Sequence, residues 1–147
     1  MFRNLLVPTD GSPLATLAVD AAIAFAKETN AKITVLTVTE PFHLLSTHVE
    51  QLGSTREEYE AISRQHAAET LAAAQVKAER AGVPCATDQV RSHEVYRVII
   101  RKAEEIGADL IVMASHGRGG VGALIIGSIT AKVLTHSTIP VLVYRKE

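Results

Sequence analysis

The sequence predicts one doubly wound α/β domain, a five-stranded parallel sheet in the order 3-2-1-4-5 with helices on both faces. Three observations predict it. Short apolar runs rich in β-branched residues alternate with longer segments of helical periodicity, and such alternation gives a parallel sheet with right-handed crossovers. One run, Leu110, Ile111, Val112 and Met113, is continuously apolar, as a strand covered on both faces must be. Directly after it come glycines at 117, 119, 120 and 122, where the chain can turn tightly and bring bare amides close to a ligand. A chain of 147 residues fits a single domain spanning 1–147 and can bury a substantial core without staples.

The elements follow in order. Leu5, Leu6 and Val7 form the first strand and run into Pro8, Thr9, Asp10, Gly11 and Ser12; Ser12 is a helix cap and Pro13 suits the first helical position. Leu14, Leu17, Ala18, Ala21, Ala22 and Phe25 then recur at helical spacing and predict the face that covers the sheet. Ile33, Val35, Leu36 and Val38 mark a second strand over 32–38. The stretch from Thr39 to Ser54 is long for a connection and is expected to be functional or mobile. Ser54 with Glu57 makes a capping box for a helix over 55–81, ended by Gly82 and Pro84. Cys85 to Arg91 is the weakest strand and belongs at an edge. Ser92 starts a helix that buries Val95, Val98, Ile99, Ala103 and Ile106, and Gly107 ends it. Beyond the glycines, Gly127 and Ser128 open a last helix with Ile129 and Val133 inward, and 140–144 is the final strand.

Composition narrows the function. With 47% apolar and 21% charged residues, neither disorder nor a membrane protein is indicated. Its formal charge of -1 gives no general pull on nucleic acid or anionic lipid, so any phosphate must be held by donors in a defined site. Cys85 is the single cysteine, which excludes an internal disulfide and a thiolate metal cluster. The N-terminal residues lack the pattern of a signal peptide, and no apolar stretch is long enough to span a bilayer. A cytoplasmic address is expected.

In a 3-2-1-4-5 order, strands one and four lie side by side and their connections leave in opposite directions, so a ligand sits at their carboxyl ends. Those ends are Pro8-Thr9-Asp10 and Met113-Ala114-Ser115, followed by the glycine loop. The helix opening at Ser128 adds unpaired amides and partial positive charge, which favour an anion. Two common glycine motifs do not apply. Gly117, Gly119 and Gly122 satisfy GxGxxG, but that signature belongs on the first strand and needs an acidic residue about twenty positions on, where Ile139 and Pro140 stand. A P-loop needs Lys and then Ser or Thr after the second glycine, and Gly122 is followed by Ala123 and Leu124.

Gly117, the nine residues from Arg118 to Ile126, then Gly127 and Ser128, resemble the later part of the glycine pattern in the nucleotide-binding branch of the universal stress protein family. The resemblance covers nearly the whole chain, through VPTDGS at 7–12, ITVLTV at 33–38, MASHGRGG at 113–120 and PVLVYR at 140–145. It implies an adenine nucleotide, most often ATP, with AMP or ADP as relatives and Mg²⁺ arriving with the phosphates. Pro8, Thr9 and Asp10 would line base and ribose, and Val38 would hold the adenine. Gly117, Gly127 and Ser128 would give amides and a hydroxyl to the phosphates, flanked by Met113 and Ile129, with Arg118 and His116 at the mouth of the loop. Asp10 could instead assist the metal. The family's first motif glycine is Ala114 here, a methyl that either narrows the ribose approach or weakens the site.

The resemblance further implies a homodimer through the final strand and a regulatory or protective module read by unidentified protein partners, binding being expected to order the loops. Val141 to Tyr144 is apolar on both faces yet lies at an edge, a liability that pairing removes. A slow nucleotide hydrolase using the same crevice, and a nucleotide-free dimeric scaffold, are the two other readings. The remaining histidines lack the spacing of a zinc site. Ser115, Ser128 and Cys85 lack a base and an orienting acid, so no nucleophile is assigned.

Overall fold

The computed structural model describes residues 1–41, 56–117 and 126–146. Its elements alternate as β1 (Asn4–Pro8), α1 (Pro13–Thr29), β2 (Lys32–Thr39), α2 (Arg56–Arg80), β3 (Cys85–Arg91), α3 (Val95–Glu105), β4 (Leu110–Ala114), α4 (Ser128–His136) and β5 (Val141–Tyr144). All the strand pairs are parallel, and the sheet order is β3-β2-β1-β4-β5. This is the predicted doubly wound order. β3 lies at one edge, as its mixed composition implied, and β5 at the other.

Strand alternation splits the core into two layers. Leu5 and Val7 of β1, with Val35 and Val112, pack against Val19 and Ile23 of α1 and Leu71 of α2. Leu6, between them in sequence, turns to the other face with Leu36, Ile111 and Met113, and meets Val98 and Ile99 of α3 and Val133 of α4. Burial of each such side chain contributes about 1.5–3 kcal/mol, so the central strands dominate the stability. Because α1 covers one face and α4 the other, the connections leaving β1 and β4 diverge and open a crevice at their carboxyl ends.

Several local expectations change. Helix α1 starts as predicted, with Ser12 Oγ accepting the Ala15 amide at 3.3 Å and Pro13 in the first turn. Its buried face, however, is Ala15, Ala18, Val19, Ala22, Ile23 and Ala26. Leu14, Leu17, Ala21 and Phe25, expected inward, are only partly buried. The small side chains let α1 lie close to β1 and β4, and the larger ones flank that contact. On α4, Val133 is fully buried, but Ile129 is 37% exposed and Thr130 takes the inward place. Ser92 does not begin α3; its Oγ accepts the Glu94 amide at 3.1 Å and forms the turn before it. The capping box at Ser54, most of the Thr39–Ser54 segment and the glycines at 119, 120 and 122 lie outside the described residues. Among the described residues, no helix is long and apolar enough to cross a membrane.

Candidate functional site

The crevice at the ends of β1 and β4 holds about 500 Å³ of space including its open mouth, within the roughly 300–1,000 Å³ of small-molecule sites. Pro8, Thr9 and Asp10 from β1 and its turn, Val38 from β2, Met113, Ala114 and Gly117 from β4 and its turn, and Ile129 from α4 all line it. Its depth is apolar, through Leu36, Val38, Ile99 and Met113, and its rim is polar, through Asp10 and His116. A flat heteroaromatic ring suits such a floor, and hydroxyl donors suit the carboxylate on the rim.

The rim is tightly constrained. Asp10 Oδ1 accepts the Ser12 amide at 2.9 Å, and the Gly11 amide donates to Thr9 Oγ1 at 3.2 Å. Gly11 makes this turn with φ 79°, a left-handed conformation that glycine adopts without strain. The other carboxylate oxygen of Asp10 stands against Gly117, so that a Cβ at 117 would collide with it. Gly117 thus allows the turns after β1 and β4 to meet. Ser115 Oγ lies 3.2 Å from His116 Nδ1, and the backbone of Gly127 closes over His116, a Cβ there falling 3.2 Å from His116 Cα.

Helix α4 is placed by two bonds to the strand that precedes it. Thr130 Oγ1 donates to the Ala114 carbonyl at 2.9 Å, and the Gly127 amide donates to the Ser115 carbonyl at 2.7 Å. The Gly127 amide, expected to face a phosphate, is therefore engaged within the protein. Among the described residues no side chain caps this helix, and its first internal bond runs from the Ala131 amide to the Gly127 carbonyl. The amides of its first turn, with the exposed Ser128 hydroxyl, thus remain the donors for an anion at this end. Gly127 and Ser128 lie at this helix start beside the crevice lining, and Arg118 lies outside the described residues.

Ala114 has two sets of neighbours. It borders the crevice, yet it also packs with Ala15 and Ala18 and with the partly buried Leu14 and Tyr144. The floor residues Leu36, Val95 and Ile99 were not among the sequence candidates. Val95 and Ile99 carry the helical periodicity of a core face, and nothing in that pattern separates a core contact from a crevice wall. Cys85, at the amino end of β3, is remote from the carboxyl ends of the strands, and burial followed by the nearby Glu79 pushes its thiol pKa up. Among the described residues no three His, Cys, Asp or Glu side chains gather to hold a metal ion. A lone Asp10 does not make a metal site, so a divalent ion at this rim fits only as the companion of a phosphate ligand.

The sequence model of the universal stress protein family matches residues 1–145. The universal stress protein YxiE of Bacillus subtilis (strain 168) is 31% identical over 149 residues, covering 99% of this chain and all of its own. A solved universal stress family protein from Burkholderia pseudomallei superposes with a TM-score of 0.78 at 28% identity, covering 99% of this chain and 97% of its own. A universal stress protein solved in complex with cAMP superposes with a TM-score of 0.72 at 26% identity, covering 99% of each chain. The match along almost the full length, in sequence and in fold, shows that this chain belongs to the universal stress protein family.

Proposed function

We propose that this chain is an adenine-nucleotide-binding universal stress protein, with ATP as the ligand its glycine motif implies and Mg²⁺ carried in by the phosphates. It acts as a cytoplasmic homodimer in a regulatory or protective role, in which a protein partner reads the difference between bound and free states. The observation that carries the reading is the crevice itself: an apolar floor at Leu36, Val38 and Met113, a carboxylate at Asp10, and an uncapped helix start at Ser128. In this reading the base lies on the apolar floor and Asp10 meets the ribose hydroxyls. The first-turn amides of α4 and the Ser128 hydroxyl receive phosphate oxygens. The relative solved with cAMP supports an adenine nucleotide as the ligand class.

Calorimetric titration of the purified protein with AMP and with ATP plus Mg²⁺ tests this. Both are expected to bind one per chain. Gly117→Ala, which drives a methyl into the Asp10 carboxylate, is expected to weaken binding by about tenfold or more, the equivalent of roughly 1.4 kcal/mol. A wild-type protein that takes up neither ligand, or a Gly117→Ala variant that binds as well as wild type, would count against the assignment.

A further inference from the structure

The seam between α3 and α4, just outside the crevice, carries a cluster that the nucleotide site does not use. Tyr96 of α3 is at its centre. The Lys132 ammonium of α4 lies 5.4 Å from the centre of its ring, and the Arg97 guanidinium 5.7 Å. The His136 ring lies 5.4 Å away, tilted by 31°. Arg97 Nε also donates to the Tyr96 hydroxyl at 3.1 Å. Contacts of this length fall within the roughly 6 Å reach of a cation on an aromatic face.

The charge around the ring is unbalanced. Glu94 is the nearby carboxylate, 3.7 Å from Arg97, and among the described residues no carboxylate pairs with Lys132. Two cations held against one half-buried ring repel each other, and an anion between them relieves that repulsion. The cluster also continues the crevice. Ser128, Lys132 and His136 recur every four residues, so they share one side of α4, each about 6 Å beyond the last. On the neighbouring helix, Val95 lines the crevice and Tyr96 directly follows it in the chain.

We propose that this seam is an anion track leading out of the crevice from Ser128 past Lys132, and that it fits the protein to adenine nucleotides with a second phosphate-linked arm, the dinucleoside polyphosphates. The inference rests on the nucleotide reading above and names a ligand class for it. One adenosine occupies the crevice, the phosphate chain passes the α4 start, and Lys132 and Arg97 hold its outer phosphates.

The test is a titration with AMP and with diadenosine tetraphosphate at low ionic strength, in wild type and in a Lys132→Gln, Arg97→Gln double variant. Both side chains are exposed, so the core is untouched. Wild type is expected to bind the tetraphosphate about tenfold or more tighter than AMP, as charge-assisted hydrogen bonds to outer phosphates allow. The double variant is expected to lose that preference and keep its AMP affinity. Equal binding of the two ligands by wild type, or a preference that survives in the double variant, overturns the inference while AMP binding stands. Failure of AMP to bind overturns the nucleotide reading and this inference with it.

Discussion

Ala114 places a methyl group where the family pattern has a glycine, and its surroundings decide what that methyl does. Met113 faces the layer of Leu6, Leu36 and Ile111, so its neighbour in the strand turns the other way, and Ala114 meets Ala15 and Ala18 of α1. The methyl thus fills the contact between β4 and the first turns of α1, a place where added volume has already been accommodated by alanines on the helix. Removing it takes away a buried methyl and loosens a strand residue. Ala114→Gly is therefore expected to lower unfolding stability by about 1–2 kcal/mol, read from urea denaturation. AMP affinity is expected to stay where it is. A glycine variant that binds AMP markedly more tightly would show instead that the methyl intrudes on the ligand.

At the scale of elements, helix α2 is two different helices end to end. Its buried residues, Ala67, Leu71, Ala74 and Ala78, all lie from Ala67 onward. The first half, from Arg56 to His66, is held by polar contacts: Glu60 pairs with Arg56 at 3.3 Å and with Arg91 of β3 at 3.0 Å. Gln89 Nε2 donates to the Arg64 carbonyl at 3.4 Å. Thr37, on the same strand face as Val35, is buried there with a hydroxyl that has no partner among the described residues. The Arg56 hydrogen bond, aided by Arg91 and opposed by burial, holds the Glu60 carboxyl below the ordinary carboxylate range. Its folded pKa is thus lower than its unfolded one, so its contribution is present above the unfolded value and lost as pH falls through the folded one. Hydrogen exchange, corrected for intrinsic rates, is expected to show amides in 58–66 losing protection in acid below that range while those in 71–78 keep theirs. Glu60→Gln is expected to produce the same loss at neutral pH, and unchanged protection in that variant would remove Glu60 as the anchor. In the sequence this helix was legible through Gly82 and Pro84 that end it, and its division was not. The strand order was legible too, because the apolar runs and the loops that end them carry their own signals. The inward face of α1 was not, since periodicity alone allows a stripe through Leu14, Leu17 and Phe25, and close packing on the sheet selects Ala15, Val19, Ile23 and Ala26 beside it. The crevice rim was readable from turn residues such as Asp10 and Gly117. The walls from α3 were not, because Val95 and Ile99 look the same in sequence whether they meet a core or a ligand.

At the scale of the whole molecule, the two sheet edges differ in what they offer to another chain. β3 presents Asp88 and Arg91, and these are tied to Lys102 at 2.6 Å and to Glu60 at 3.0 Å. Charged side chains of this kind discourage pairing at an edge. β5 has no charged residue between Val141 and Tyr144, and Leu142 is 37% exposed. Its backbone is half used. The Pro140 and Tyr144 carbonyls accept the Ile111 and Ser115 amides at 2.9 Å, so even-numbered residues of the strand bond to β4. The amides and carbonyls of Val141 and Val143 then point away from the sheet, aligned for an antiparallel copy of the same strand across a two-fold axis. Such pairing would join two sheets into one and cover the apolar edge. Sedimentation equilibrium is expected to give the mass of a dimer for wild type. Val143→Pro deletes an outward amide without touching the ladder to β4, and it is expected to give a monomer with unchanged circular dichroism. Leu142→Lys, which places charge on the exposed apolar side chain, is expected to weaken the dimer as well. A wild-type monomer, or a dimer that survives Val143→Pro, would place the contact elsewhere on the surface.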